Sequence, residues 1–302
     1  MVIEQEITQP TEQTGFLAGL VIISVCKDNP RDLEKTCQSV AMQNFRPARH
    51  IVVDGSDRSR SNQMSQIAAA HGAEYFWFTP RGIYEAMLDG LTVAGECDAV
   101  WYLNATDWLA RPDSIAQIGG WLSPARQGVA PVWCVGQTLV GGSVPHRMRW
   151  SASGEEFVRW LRRGRVGLSH PSTVVLTSAL REVFGPSTGA TLARDYEMAL
   201  ELAERFGPPQ MLSYPLSIYD ESGQSAKYAY RNLREKMNAR IRRQPFSSTV
   251  WELFRAAEAL WRHILRRVVA KRPSTVWAWR SLGWEPIRPE DAEPFWSSRL
   301  LP

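Results

Sequence analysis

The run Gly19-Leu20-Val21-Ile22-Ile23-Ser24-Val25, followed by Cys26-Lys27-Asp28 and then Asn29-Pro30, decides the fold. It is apolar and β-branched without alternation, the pattern of a strand buried on both faces. Asn29 then offers an N-cap and Pro30 a first helical position. Leu33, Cys37, Val40 and Ala41 follow at helical spacing. The same alternation continues outward. His50–Asp54 is a second strand, Met64, Ile67 and Ala68 mark a helix, Glu74–Phe78 is a third strand, Ile83 to Ala94 a helix, and Ala99–Leu103 a fourth strand. Strands alternating with single helices predict an α/β fold with a doubly wound, mostly parallel sheet. Further on, Ala130–Val140, Ser172–Leu176 and Met211–Ile218 read as strands, and Thr177–Phe184 and Arg194–Phe206 as helices.

The chain has 302 residues, 44% hydrophobic and 22% charged, enough for one sizeable core plus a smaller attachment. Mean hydropathy is −0.28, and the longest apolar runs are strand-length, so no membrane span is expected. The opening MVIEQEITQPTEQTG has no basic start before an apolar run, and Cys26, Cys37, Cys97 and Cys134 form no CxxC pair. Secretion, a disulfide framework and a zinc site are therefore not expected, and the chain reads as cytoplasmic.

Doubly wound sheets bind ligands at the carboxyl ends of their strands. Here those ends read Cys26-Lys27-Asp28-Asn29, Asp54-Gly55-Ser56-Asp57 and Asn104-Ala105-Thr106-Asp107. No GxGxxG or GxxxxGK loop accompanies them. An edge built from carboxylates instead of a phosphate-cradling loop implies that a divalent cation neutralises any phosphate bound there.

The order of these segments resembles family 2 glycosyltransferases of the GT-A fold, bacterial polysaccharide type, whose motifs look like VCFNN, VVDGGSTDGT, GIYDAMNKGI, FLNSGD, HQ and DYD. The counterparts are Val25–Asn29, Val53–Ser56, Gly82–Met87, Leu103–Asp107, Ser169-His170-Pro171 and Arg194–Glu197, within residues 19 to 225. The resemblance implies a Rossmann-like GT-A domain that transfers a sugar, with inversion, from a nucleoside-diphosphate donor, a UDP-sugar favoured, to a cell-surface polysaccharide or lipid-linked glycan. It implies that Asp54 accepts hydrogen bonds from the base or ribose. Val25, Lys27, Gly55, Arg81, Tyr84, Asn104, Ala105 and His170 would line the nucleotide-sugar site. Asp107 would ligate Mn²⁺ or Mg²⁺, and Asp195 would be the general base that deprotonates the acceptor hydroxyl.

Each role has a plainer competitor. Asp107 could cap the turn before Trp108, Asp54 could serve the Asp-Gly turn, Asp195 could answer the dipole of its helix, and His170 could be a satisfied core histidine. Glu197 is a fallback base, though two residues past Asp195 on a helix it would point elsewhere. The sequence also departs from the family pattern: Asn104 and Thr106 replace the other acids of the metal motif, Leu88 stands for its Asn, and Phe78-Thr79-Pro80 for an acidic segment. A degenerate domain that binds nucleotide sugar without turnover therefore stays open as a reading.

Residues 1–16 read as a flexible N-terminus, 17–225 as the catalytic domain, and 226–302 as a basic, Trp-rich, mostly helical extension. Between Lys227 and Arg272 there are 13 Lys and Arg against 3 Glu, which concentrates the chain's positive charge in the extension. Val250, Leu253, Phe254, Ala257, Leu260, Trp261, Ile264, Leu265 and Val268 form one helical stripe with arginines largely outside it. That stripe suits docking on the domain or on a second copy in a homo-oligomer, or peripheral contact with an anionic inner-membrane surface. A modified base in DNA is the alternative acceptor that a basic, aromatic tail would serve.

Overall fold

The computed structural model describes residues 15–141, 146–148, 150–166, 168–185, 192–220, 229–243 and 284–286, with positions 257 and 261. The parallel half of the sheet is β1 (Gly15–Cys26), β2 (Phe45–Asp54), β3 (Glu74–Trp77) and β4 (Ala99–Tyr102), in the order β3-β2-β1-β4 with every pair parallel. Beyond β4 the sheet turns mixed. β8 (Thr173–Leu176) pairs antiparallel to β4 and to β6 (Trp133–Gly141); β7 (His146–Met148) and β10 (Trp284–Pro286) continue outward from β6. β9 (Gln210–Asp220) runs parallel to β6 and also pairs with the two-residue β5 (Trp108–Leu109). More positions pair in parallel than in antiparallel ladders.

Alternate residues of β1 feed two different cores, as its unbroken apolar run requires. Leu20 and Ile22 pack with Trp101, Ile115, Ile118 and Trp121, while Val21, Ile23 and Val25 pack with Met87, Leu91, Ala94 and Tyr196. All are buried, and each of the five β1 side chains is worth roughly 1.5–3 kcal/mol of transfer free energy. One face is covered by α1 (Pro30–Ala41), α2 (Arg58–Ala70) and α4 (Ser114–Arg126). The other is covered by α3 (Ile83–Ala94), α5 (Gly154–Arg162), α6 (Thr177–Val183) and α7 (Arg194–Arg205). Gly90 lets α3 press onto the sheet: a Cβ there would stand 2.5 Å from Ile23 Cγ2 and 3.2 Å from Val53 Cγ2.

The Asn29-Pro30 helix start is present, with Asn29 accepting the Asp32 N–H at 3.4 Å. Other expectations are corrected. Gly15 and Phe16, read as part of a loose N-terminus, already pair with Phe45 and Arg46 in β1. β2 begins at Phe45 and not at His50. Pro47 hides that start, and is tolerated because β3 pairs only from Ile51 onward, leaving this stretch bonded on one side.

The extension opens with α8 (Ala229–Arg243), which lies on α7. Arg242 pairs with Glu197, Arg243 with Glu201 at 3.0 Å and with Glu204 at 3.3 Å, and Arg240 donates to the Tyr196 hydroxyl at 3.2 Å. The stripe from Val250 to Val268 lies outside the described residues, apart from positions 257 and 261, which are helical and exposed. No described helix is long and apolar enough to cross a membrane.

Candidate active site

The carboxyl ends of β1, β2 and β4 lie side by side because these strands are parallel neighbours. Backbone bonds stitch their loops together: Gly55 N–H donates to the Cys26 carbonyl (3.0 Å) and Ala105 N–H to the Val25 carbonyl (3.0 Å). Val25 and Ala105 are buried, so these two predicted site residues shape the edge through their backbone.

At the β2 end, Asp54 is fully buried. One carboxylate oxygen accepts from Ser56 N–H (2.8 Å) and Ser56 Oγ (2.5 Å), the other from the Tyr75 hydroxyl (2.7 Å). Burial and that bond to Asp54 push the Tyr75 hydroxyl pKa up. Ser56 Oγ also receives the Asp28 N–H at 2.7 Å, and Asp28 holds a left-handed φ of 53°. A non-glycine residue in that region stores strain, which clusters at ligand-binding edges. Trp77 Nε1 donates to the Ser56 carbonyl, and the Arg58 guanidinium stacks 3.6 Å over the Trp77 ring. Tyr75 and Trp77 share one face of β3 by the period of two, a signal present in EYFWF whose use the sequence alone does not reveal. Lys27 is exposed beside this loop and carries no ion pair among the described residues. Arg81, expected near a phosphate, is exposed and bonded to Asp89 at 2.7 and 2.9 Å.

The β4 end is arranged differently. The Asn104 carbonyl receives the N–H groups of Thr106 and Asp107, closing a tight turn, and Thr36 Oγ donates to the Asp107 carbonyl at 2.7 Å. The side chains of Asn104 and Asp107, both buried, converge on His170. His170 Nε2 lies 2.8 Å from Asn104 Nδ2 and 3.6 Å from an Asp107 carboxylate oxygen. On its other side, His170 Nδ1 lies 4.0 Å from an Asp195 oxygen. The imidazole is held in place from below: Trp101 Nε1 donates to the Pro171 carbonyl, and Thr138 Oγ to Ser169 Oγ. Burial pushes the His170 pKa down, against an upward pull from the Asp195 charge.

Asp195 sits in the first turn of α7 with its side chain 15% exposed, within reach of solvent. Its Oδ1 accepts the Tyr196 N–H (2.7 Å), so it also serves its own helix. Tyr84, from the first turn of α3, places its hydroxyl 3.5 Å from the Asp195 N–H, and burial and the Asp195 charge push that phenol well above its usual range. Glu197 faces the other way, buried against Arg194 and Arg242.

The fit to a divalent cation rests on the donors. Among the described residues no three His, Cys, Asp or Glu side chains converge as a cage. Asp107 offers a carboxylate there, and the adjacent Asn104 Oδ1 is buried with no hydrogen-bond partner among the described residues, while the Nε2 lone pair of His170 is taken by Asn104 Nδ2. Mg²⁺-type ions at phosphate sites take one or two protein carboxylates and complete their shell with water and phosphate oxygen. The residues fit such an ion.

No protein-family model matches the sequence, and no curated protein matches it. Several solved structures match in three dimensions. S. aureus TarS, residues 1–349, shares 14% identity over 83% of this chain and 82% of its own, with a TM-score of 0.54. Glucosyl-3-phosphoglycerate synthase from Mycobacterium tuberculosis, in complex with Mn²⁺, UDP and glucosyl-3-phosphoglycerate, shares 13% over 77% and 82%, at 0.53. The mannosyltransferase PcManGT from Pyrobaculum calidifontis, in complex with GDP-Man and Mn²⁺, shares 14% over 90% and 80%, at 0.51. The fold is GT-A. The expectation of an α/β GT-A fold is thereby met.

Proposed function

We propose that the chain is an inverting, metal-dependent glycosyltransferase of the family 2 type, acting on a nucleoside-diphosphate sugar. The observation that carries this reading is the line Asp107–His170–Asp195, drawn from three distant segments to the carboxyl edge of the sheet, with separations of 3.6 and 4.0 Å. An acidic pair with an imidazole between them suits a reaction that needs a carboxylate at two places: one to hold a cation beside a diphosphate leaving group and one to deprotonate an acceptor hydroxyl.

Asp107, with Asn104 Oδ1, would hold Mn²⁺ or Mg²⁺, which when bound neutralises charge accumulating on the departing diphosphate; His170 holds the Asn104 side chain in place. Asp195 takes the proton of the acceptor hydroxyl as that oxygen bonds to C1 of the sugar. The C1–phosphate oxygen bond breaks on the opposite face, its electron pair leaving with the nucleoside diphosphate, and the configuration at C1 inverts. Tyr84 orients Asp195 through its backbone N–H. His170, whose pKa burial pushes down, sits between the two carboxylates as a neutral imidazole. The strained Asp28–Ser56 loop, exposed Lys27 and the Trp77–Arg58 stack form the surface offered to the nucleotide, while Asp54 holds that loop in shape from beneath.

The acceptor, a cell-surface polysaccharide or lipid-linked glycan, follows from the sequence resemblance. Of the extension's cations, Arg231, Arg240, Arg242 and Arg243 are engaged with Glu235, Tyr196, Glu197, Glu201 and Glu204. Neither DNA nor an anionic membrane is needed to explain those four. The test is release of nucleoside diphosphate from a panel of UDP- and GDP-sugars with Mn²⁺. Wild-type turnover that is abolished in Asp195→Asn supports the reading; absence of turnover with every donor contradicts it.

A further inference from the structure

The helix that carries Asp195 starts without a side-chain cap of its own. Its N-cap position is Ala193, where Ser, Thr, Asp or Asn would ordinarily supply an acceptor. The acceptors come from elsewhere. Tyr84 takes the Asp195 N–H, and Asp195 takes the Tyr196 N–H. The N–H groups of Leu192 and Ala193 both donate to Oε2 of Glu235, at 2.7 and 3.2 Å. Glu235 belongs to α8, in the extension. Its side chain is 10% exposed, and its other oxygen accepts from Arg231 Nε at 2.9 Å. A carboxylate at a helix amino end is further favoured by the partial positive charge there.

We propose that Glu235 is a positioning residue for the base: the extension supplies the missing cap of α7 and thereby holds Asp195 against His170. The inference rests on Asp195 being the general base. One residue on each side of Asp195, Ala193 before it and Tyr196 after it, is gripped by α8. Ala193 is held by Glu235, and the buried Tyr196 by Arg240, which donates to its hydroxyl and lies 5.7 Å from its ring centroid. Farther along α7, Arg243 pairs with Glu201 and Glu204 and fixes the helices together without touching that amino end. Docking of the extension and assembly of the catalytic edge are therefore one event.

The test uses the full chain as wild type, Glu235→Ala, Glu235→Gln, and Arg243→Ala as a docking control. Glu235→Ala is expected to lower kcat roughly tenfold to hundredfold, the range for a base displaced by about an ångström, with KM for the donor sugar within about twofold. Glu235→Gln keeps an oxygen that accepts both N–H groups and recovers most of kcat. Amide hydrogen exchange across 192–196 quickens about tenfold in Glu235→Ala and not in Arg243→Ala. Should Glu235→Ala fail to fold, Glu235→Asp, too short to serve both N–H groups, gives the same ordering with a smaller loss of kcat. Unchanged exchange at 192–196, an unchanged kcat in Glu235→Ala, or equal losses in Glu235→Ala and Arg243→Ala each overturn the inference. A wild type that turns over no donor sinks the transferase reading and the positioning role with it, whereas an active wild type with a fully active Glu235→Ala sinks the positioning role alone.

Discussion

Two aspartates follow the strands on either side of β1, Asp54 at the end of β2 and Asp107 in the turn after β4, and their surroundings could hardly differ more. Asp54 is sealed by its own chain, with Ser56 and Tyr75 bonded to its two oxygens. Asp107 stands in a buried turn whose side chains look toward His170, beside an Asn104 oxygen that no group in the described structure satisfies. A carboxylate saturated by the fold stabilises the fold. A polar atom left without a partner in a buried pocket, as Asn104 Oδ1 is among the described residues, costs stability. The sequence resemblance treats both aspartates as ligand contacts; in the structure Asp54 is bonded to its own loop, and under the proposed function Asp107 is the one that faces the ligand.

The largest effect expected belongs to the far end of the ligand-facing line. Asp195→Asn should lower kcat by roughly a thousandfold with nucleotide affinity unchanged, as measured by steady-state turnover and equilibrium binding, the loss that follows from removing a general base. The two strand ends should then part company in stability. Asp54→Ala leaves the Ser56 and Tyr75 donors unsatisfied and should cost roughly 3 kcal/mol in urea unfolding, whereas Asp107→Asn should cost well under about 1 kcal/mol. Equal costs at the two positions would erase the distinction.

Acid should expose a third difference, away from both ends. Burial, with the nearby His71 charge, holds His50 down to about 4, and burial lowers His170 as well. Both folded values lie below the unfolded value near 6.5, so below that pH the unfolded chain binds protons that the folded chain refuses. Stability is full above about pH 6.5 and falls as pH drops toward 4, by an amount on the order of 3 kcal/mol for His50. Urea midpoints for wild type and His50→Gln across that window check it, the variant being flatter. Tyr75→Phe removes one bond to Asp54 and should cost about 1–2 kcal/mol, less than Asp54→Ala, with turnover little changed.

How much of this was legible in the sequence depends on the kind of signal. The β1–β4 alternation was readable because residues such as Val21 and Ile22 are buried on opposite faces, which forces an unbroken apolar run. Helix α4 was not readable: Gly119-Gly120 and Pro124 argue against a helix, and burial of Ile115, Ile118, Trp121 and Leu122 overrides them. α5 carries a usable local sign in Ser153, three residues before Glu156, whose N–H it accepts. His170 shows the reach of resemblance. Local spacing cannot place it between Asp107 and Asp195, because that contact depends on β8 pairing with β4. The partners of the basic extension were invisible for a similar reason. Periodicity reveals a charged face, yet only the fold shows that Arg242 and Arg243 meet the acids of α7.

The most direct test of the account is calorimetric titration of UDP, and in parallel GDP, into wild type and Asp107→Asn, each with and without Mn²⁺. The account predicts that one nucleotide binds the wild type with affinity that depends on Mn²⁺, and that Asp107→Asn loses this dependence while staying folded. Binding of neither nucleotide, or binding indifferent to both Mn²⁺ and Asp107, would contradict it.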